Sequence, residues 1–321
     1  MDFENPLDEQ SKAVLEMIPE ELLDLSDIPK ARLMVDGLMA AMFEAAPEIP
    51  GVEVEDHWVP GPPGDPDVMV RVYSPSEVET PVPGLYYIHG GGMVLGNVPM
   101  GDVECKELAA DMGCVVASVE YRLAPEHPHP APIDDCYAGL KWFADTSESL
   151  GVDRGRIAIT GASAGGGLAA ALALLARDRG EVEIIYQELI YPMLDDRNTT
   201  HSSHYVQHPK VWNRKANIAG WTALLGKPAG SDDVSPYASP ARAEDLSGLP
   251  PAFIIVGDLD LFVDEDIEYA QRLGQAGVAA ELHVFPGAFH GSNIMVPMSE
   301  TSQRWEKIRR DALRQALHPG G

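Results

Sequence analysis

The chain has little cysteine, little lysine and no long apolar run. Its three cysteines, Cys105, Cys114 and Cys136, are an odd number and form no C-x-x-C pair. That spacing excludes a disulfide framework and a zinc site, and it fits reduced thiols in a cytoplasm. No apolar stretch reaches the roughly 18 residues that span a bilayer. The first residues, "MDFENPLDEQ", are acidic and do not read as a signal peptide. Lysine occurs only 8 times, and the formal net charge is −27. A nucleic acid or an anionic membrane needs a basic surface, so neither is expected as a partner. The one locally basic stretch, "RWEKIRRDALR", alternates with acids and reads as a solvated helix face.

The chain does have apolar residues in quantity, 45% of its 321, enough for a sizeable core. Residues 1 to about 47 carry helical spacing, broken at Pro19 and Pro29. "VEVEDHWV" and "DVMVRVYS" alternate in polarity and are joined by "PGPPGDP", the pattern of an antiparallel hairpin. Apolar strands then alternate with helices. The strands are "GLYYIH", "CVVASVEY", "RIAIT", "EIIYQELIY", "AFIIVG" and "ELHVFPG". Helices are expected over 103–112, 133–145, 263–276 and 301–317, and one follows "RIAIT". Near-continuous apolar strands between helices imply a mostly parallel sheet of about eight strands covered on both faces. Residues 195–243 depart from the alternation and read as a helical insertion that packs on the N-terminal helices as a lid.

The stretch "RIAITGASAGGGLAAALALL" poses the functional question. From Gly165 it reads G-x-G-x-x-A, a loop that cradles a dinucleotide pyrophosphate. From Gly161 it reads G-x-S-x-G, a strand–turn–helix that exposes Ser163. The first reading expects the turn after the first strand and an acid at the end of the next. Here several strands precede it, and Glu188 lies inside the next strand. The second reading demands partners, because a serine hydroxyl attacks only when a base takes its proton and donors hold the oxyanion. "HGGG" at 89–92 follows a strand and offers backbone N–H groups. Asp258, Asp260 and Asp264 follow "AFIIVG", and each is a candidate acid or a helix cap. His290 follows the last strand, while His283 lies inside it as a sheet residue. The neighbours of Ser163 are small, as a strained turn requires, and the N–H of Ala164 begins the helix.

These residues, with "YRLAPEHPHPAPIDD", "LIYPMLD", "GDLDLFVDE" and "GAFHG", resemble the hormone-sensitive-lipase-like branch of the α/β-hydrolases, the bacterial HGGG esterases. The resemblance covers about two thirds of the chain in the family's order. It implies an eight-stranded catalytic domain over 48–194 and 244–321. It also implies a helical cap built from 1–47 and the insertion 195–243. Ser163 is implied as nucleophile, Asp260 as acid and His290 as base, with Gly90, Gly91 and Ala164 donating to the oxyanion. Asp264 is implied to be structural, and Arg122 and Glu126 to order the chain below the site. The expected activity is hydrolysis of short- to medium-chain esters without metal or cofactor. The alternatives are amide or lactone hydrolysis with the same machinery and a non-catalytic small-ligand receptor, the role of some relatives that have lost the His. A homodimer and a cytoplasmic location complete the expectations.

Overall fold

The computed structural model describes residues 6–44, 48–76 and 78–320. Its centre is one eight-stranded sheet: β1 (Val52–Val59), β2 (Val68–Pro75), β3 (Val82–Ile88), β4 (Val115–Glu120), β5 (Val152–Ala162), β6 (Tyr186–Ile190), β7 (Ala252–Gly257) and β8 (Ala280–Phe285). The strand order is β1-β2-β4-β3-β5-β6-β7-β8. β2 runs antiparallel to both β1 and β4, and the pairs from β4 to β8 are parallel. β2 is therefore the single reversed strand, and β1 runs with the rest. β3 and β7 are buried along their whole length, as the unbroken apolar sequences require, whereas β1 is mostly exposed and alternates. β6 is shorter than "EIIYQELIY" suggested, and β5 extends beyond "RIAIT" at both ends.

Ten helices accompany the sheet among the described residues. The first two are α1 (Glu9–Met17) and α2 (Ile28–Glu44), joined by 3-10 turns at Glu20–Leu23 and Leu25–Asp27. Asp8 caps α1 by accepting from Ser11 N at 2.6 Å. Pro19 separates the helices as expected, but Pro29 breaks nothing. It sits in the first turn of α2, where a missing N–H costs no helical bond. The expected N-terminal helical region also includes residues 1–5 and 45–47, which lie outside the described residues.

The sheet's own helices are α3 (Asp102–Met112), α4 (Ala131–Asp145) and α5 (Ala164–Arg179). Between β6 and β7 lie α6 (His201–Tyr205) and α7 (Arg214–Leu225), capped by Thr200 and Asn213. Then come α8 (Val263–Gln275), α9 (Ser292–Met295) and α10 (Glu300–Leu317). Every residue of α5 from Ala164 to Ala176 is buried, so this Ala/Gly/Leu helix is the central packing element. The stretch 195–243 is only partly helical, with no helix over 226–239. It does meet the N-terminal helices: Lys215 pairs with Asp24 at 3.2 Å, and Lys210 donates to the Glu16 carbonyl at 3.2 Å. No helix among the described residues is long and apolar enough to cross a membrane.

Candidate active site

β5 ends and α5 begins at Ser163, and the chain turns there in one residue. Ser163 has φ 58° and ψ −122°, a left-handed conformation that a non-glycine residue adopts only under constraint. Its N–H donates to the Ile190 carbonyl at 2.8 Å, and its own carbonyl accepts from Met193 N at 3.0 Å. The glycines permit this turn. A Cβ on Gly161 would stand 2.3 Å from the Gly165 carbonyl oxygen, and one on Gly165 would stand 2.0 Å from that of Ile88. One on Gly167 would meet the Met193 carbonyl oxygen at 2.1 Å. Backbone packing thus accounts for the glycines of G-x-G-x-x-A. Glu188, the acid a dinucleotide ribose would need, is fully buried and engaged by Thr160 at 2.6 Å and by Arg309 at 3.1 Å.

His290 arrives on the loop after β8. Its Nε2 lies 2.9 Å from Ser163 Oγ, and its Nδ1 lies 2.7 Å from Asp260 Oδ2. A carboxylate only accepts, so Nδ1–H donates to Asp260 and the bare Nε2 faces the serine hydroxyl. Asp260 is fully buried after β7, and its other oxygen accepts from Phe262 N at 3.0 Å. The imidazole packs against two aromatic rings at steep angles, with Tyr191 at 4.7 Å and Phe262 at 5.2 Å between ring centroids.

The other candidate acids are spent elsewhere. Asp258 accepts from Gly287 N at 2.7 Å and braces the loop that carries His290. Asp264 accepts from Ser202 N at 2.7 Å, so it caps α6 from outside and not α8, in whose first turn it sits. His283 lies in β8 against Glu281. Arg122 pairs with buried Asp135 at 2.8 Å, and Glu126 grips Arg32 of α2 through both oxygens.

The HGGG turn follows β3 and faces the start of α5. His89 is buried, and burial pushes its imidazole down to about 4, so the ring is neutral at neutral pH. Its Nδ1–H donates to the Gly90 carbonyl at 2.8 Å, and its ring stacks on Tyr121 at 4.2 Å. Gly90 packs on the serine turn itself, where a Cβ would approach the Ala162 carbonyl oxygen to 2.8 Å. Gly91 has φ +123°, and its carbonyl accepts from Leu95 N at 2.8 Å. Ala164 is the first residue of α5, where the helix dipole favours negative charge.

A cavity of about 430 Å³ opens onto Ser163, His290, Gly90 and Gly91. Leu22, Leu38, Leu95 and Trp212 contribute apolar lining, and Glu104, Glu306 and Arg309 contribute charged lining. A second depression near Arg154, Arg177 and Pro250 lies away from this constellation. Among the described residues, no group of His, Cys, Asp and Glu is placed to hold a metal ion. Sequence reasoning missed Trp212, Phe262, Asn293 and the role of Tyr191. Tyr191 lay inside the quoted "LIYPMLD", but nothing in that string reveals its contact with His290.

Residues 85–293 match the family model described as alpha/beta hydrolase fold. The chain is 36% identical over 281 residues to esterase LipI of Mycobacterium tuberculosis, covering 84% of this chain and 86% of that protein. It is 33% identical over 251 residues to an ethyl acetate hydrolase of Pseudomonas putida, covering 77% and 78%. Among solved structures, a bacterial heroin esterase superposes with a TM-score of 0.94 at 44% identity, over 98% of both chains. With its fold, its HGGG turn and its relatives in agreement, the chain belongs to the alpha/beta-hydrolase family, in the hormone-sensitive-lipase-like branch of esterases.

Proposed function

We propose that the protein hydrolyses short- to medium-chain carboxylic esters by two-step acyl transfer through Ser163, His290 and Asp260. The observation that carries this reading is the unbroken chain from Ser163 Oγ to His290 at 2.9 Å and on to Asp260 at 2.7 Å. Ser163 Oγ attacks the ester carbonyl carbon as its proton passes to His290 Nε2. Asp260 holds the ring's orientation and stabilises the imidazolium. The N–H groups of Gly90, Gly91 and Ala164 receive the oxyanion, each such donor being worth about 3 kcal/mol at the transition state. The C–O bond to the alcohol breaks, and His290 returns the proton to the departing oxygen. Water then repeats the sequence on the acyl-enzyme, and the acid leaves.

The chain-length preference is supported by a cavity of about 430 Å³ whose lining mixes apolar and charged residues, and by the ethyl acetate hydrolase among the chain's relatives. In this reading 48–194 and 244–321 form the catalytic body, while 1–47 and 195–243 form a cap over the cavity. The three cysteines are free and buried, which fits a reducing cytoplasm. A homodimer fits β8, which ends the sheet and offers an unpaired edge to a second copy.

Hydrolysis of p-nitrophenyl acetate, butyrate and octanoate tests the reading. Turnover that is fastest on the shorter acyl chains, and absent in Ser163→Ala, is the expected result. Wild-type turnover no greater than that of Ser163→Ala overturns it.

A further inference from the structure

We propose that Trp212 is a positioning residue for the oxyanion loop, acting through Gly92. The inference rests on the assignment of Gly90 and Gly91 as oxyanion donors. The three glycines have no side chains; the carbonyls of Gly90 and Gly91 are held by His89 Nδ1 and Leu95 N, and Gly92 is placed by packing. Gly92 has φ +61°, and a Cβ placed there would stand 2.0 Å from the six-membered ring of Trp212. The indole therefore lies directly on the Gly92 backbone. Gly220 of α7 approaches from the same segment, and a Cβ there would stand 2.7 Å from the Gly92 carbonyl oxygen. The next residue is fixed from the other side, where the Met93 carbonyl accepts from Ala124 N at 2.9 Å.

The indole is itself immobilised. Trp212 is buried, and its Nε1–H donates to Asn217 Oδ1 at 3.0 Å. Asn217 is fully buried and donates to Asn198 Oδ1 at 2.6 Å. Asn198, in a left-handed conformation at φ +54°, donates in turn to the Asp196 carbonyl at 2.9 Å. Asp196 is locked by Arg242 through both oxygens at 2.6 and 2.8 Å. The chain of contacts runs without a gap from the ion pair of buried Asp196 with half-buried Arg242 to the loop that would hold the oxyanion. Such donors work only when preorganised at hydrogen-bond distance from the developing charge, so displacing the loop costs rate before it costs binding.

The same ring also lines the cavity, so its removal has two separable effects. As a mere wall it would change KM for bulky substrates. As the loop's anchor it would lower kcat even for an acetyl ester that does not fill the cavity. The test measures kcat and KM on p-nitrophenyl acetate for wild type, Trp212→Ala, Trp212→Phe and Asn217→Leu. Inhibition by a short-chain trifluoromethyl ketone, whose adduct places an oxyanion on the loop, is measured on the same set. We expect Trp212→Ala to lose about 10- to 100-fold in kcat, less than the roughly 10²- to 10³-fold of a donor removed outright because the loop is displaced and not deleted, with KM changed by less than about threefold. Inhibitor affinity should fall in step with kcat/KM, Trp212→Phe, which lacks both the indole atoms against Gly92 and the Nε1–H bond to Asn217, should recover only part of the loss, and Asn217→Leu should lose part of it. An unchanged kcat in Trp212→Ala, or an inhibitor affinity that stays at the wild-type level, overturns the proposal. Failure of wild type to outpace Ser163→Ala on any ester is a different outcome and overturns the underlying assignment of the site.

Discussion

The Tyr191 ring and the His290 imidazole stand with their centroids 4.7 Å apart, at an interplanar angle of 61°. Tyr191 does so from a constrained backbone, φ +35°, directly after β6. Its hydroxyl donates to Asn293 Oδ1 at 3.0 Å, and Asn293 donates to Glu306 at 3.0 Å. Tyr191→Leu removes an aromatic contact worth roughly 0.5–1.5 kcal/mol and should lower kcat up to about tenfold. Tyr191→Phe keeps the ring and should lose less. Steady-state kinetics of the two variants on p-nitrophenyl acetate checks this, and equal losses would assign the effect to the hydroxyl.

Asp258 and Asp260 stand two residues apart, yet only Asp260 reaches His290. Asp260→Asn should lower kcat about 10⁴-fold, because an amide presents the wrong hydrogen-bonding partner to Nδ1–H. Asp258→Asn retains an oxygen for Gly287 N and should stay within about tenfold of wild type, a lost hydrogen bond being worth about 1 kcal/mol. A larger loss for Asp258→Asn on the same substrate would reverse the assignment.

Arg309 is buried between Glu188, Glu306 and Glu104, with Glu188 itself fully enclosed. Arg309→Met leaves that carboxylate without its partner and should cost about 3–5 kcal/mol of stability. Adding Glu188→Gln should recover part of the loss. Urea unfolding of the single and double variants measures both numbers, and an additive double variant would contradict the pairing.

Asp266 of α8 is fully buried, and neither carboxylate oxygen has a hydrogen-bond partner among the described residues. Burial, then the charges of Glu265 and Asp260, push its carboxyl well above the usual range. The folded chain therefore holds this proton more tightly than the unfolded chain does. Stability from the group is full below its unfolded value near 4. It is lost by up to about 1.4 kcal/mol per pH unit as pH rises toward the folded value. Asp266→Asn cannot titrate, so its stability relative to wild type should rise between about pH 5 and about pH 8. Thermal unfolding across that range checks it, and a difference that does not change with pH contradicts it.

The succession of strands and the positions of the loops that carry Ser163, Asp260 and His290 are legible because that information is local, whereas the order of the strands in the sheet is not. Apolar strands end in turn residues, and Ser163, Asp260 and His290 each stand just past such an end. The choice between Asp258 and Asp260 was not local, since it depends on how the turn aims each side chain after β7. Pro29 looked like a break because sequence spacing does not reveal where α2 begins. Arg309 lies 121 residues from Glu188, and Trp212 about as far from Gly92. Contacts of that kind arise only when separate segments fold together, so no motif announces them.

The most direct measurement is the site of covalent modification by a p-nitrophenyl phosphonate, read by peptide mass spectrometry alongside released p-nitrophenolate. Stoichiometric release with the label on Ser163, strongly slowed in His290→Ala and absent in Ser163→Ala, is the expected result. A label on another residue, or release that persists in Ser163→Ala, would contradict Ser163 as the nucleophile.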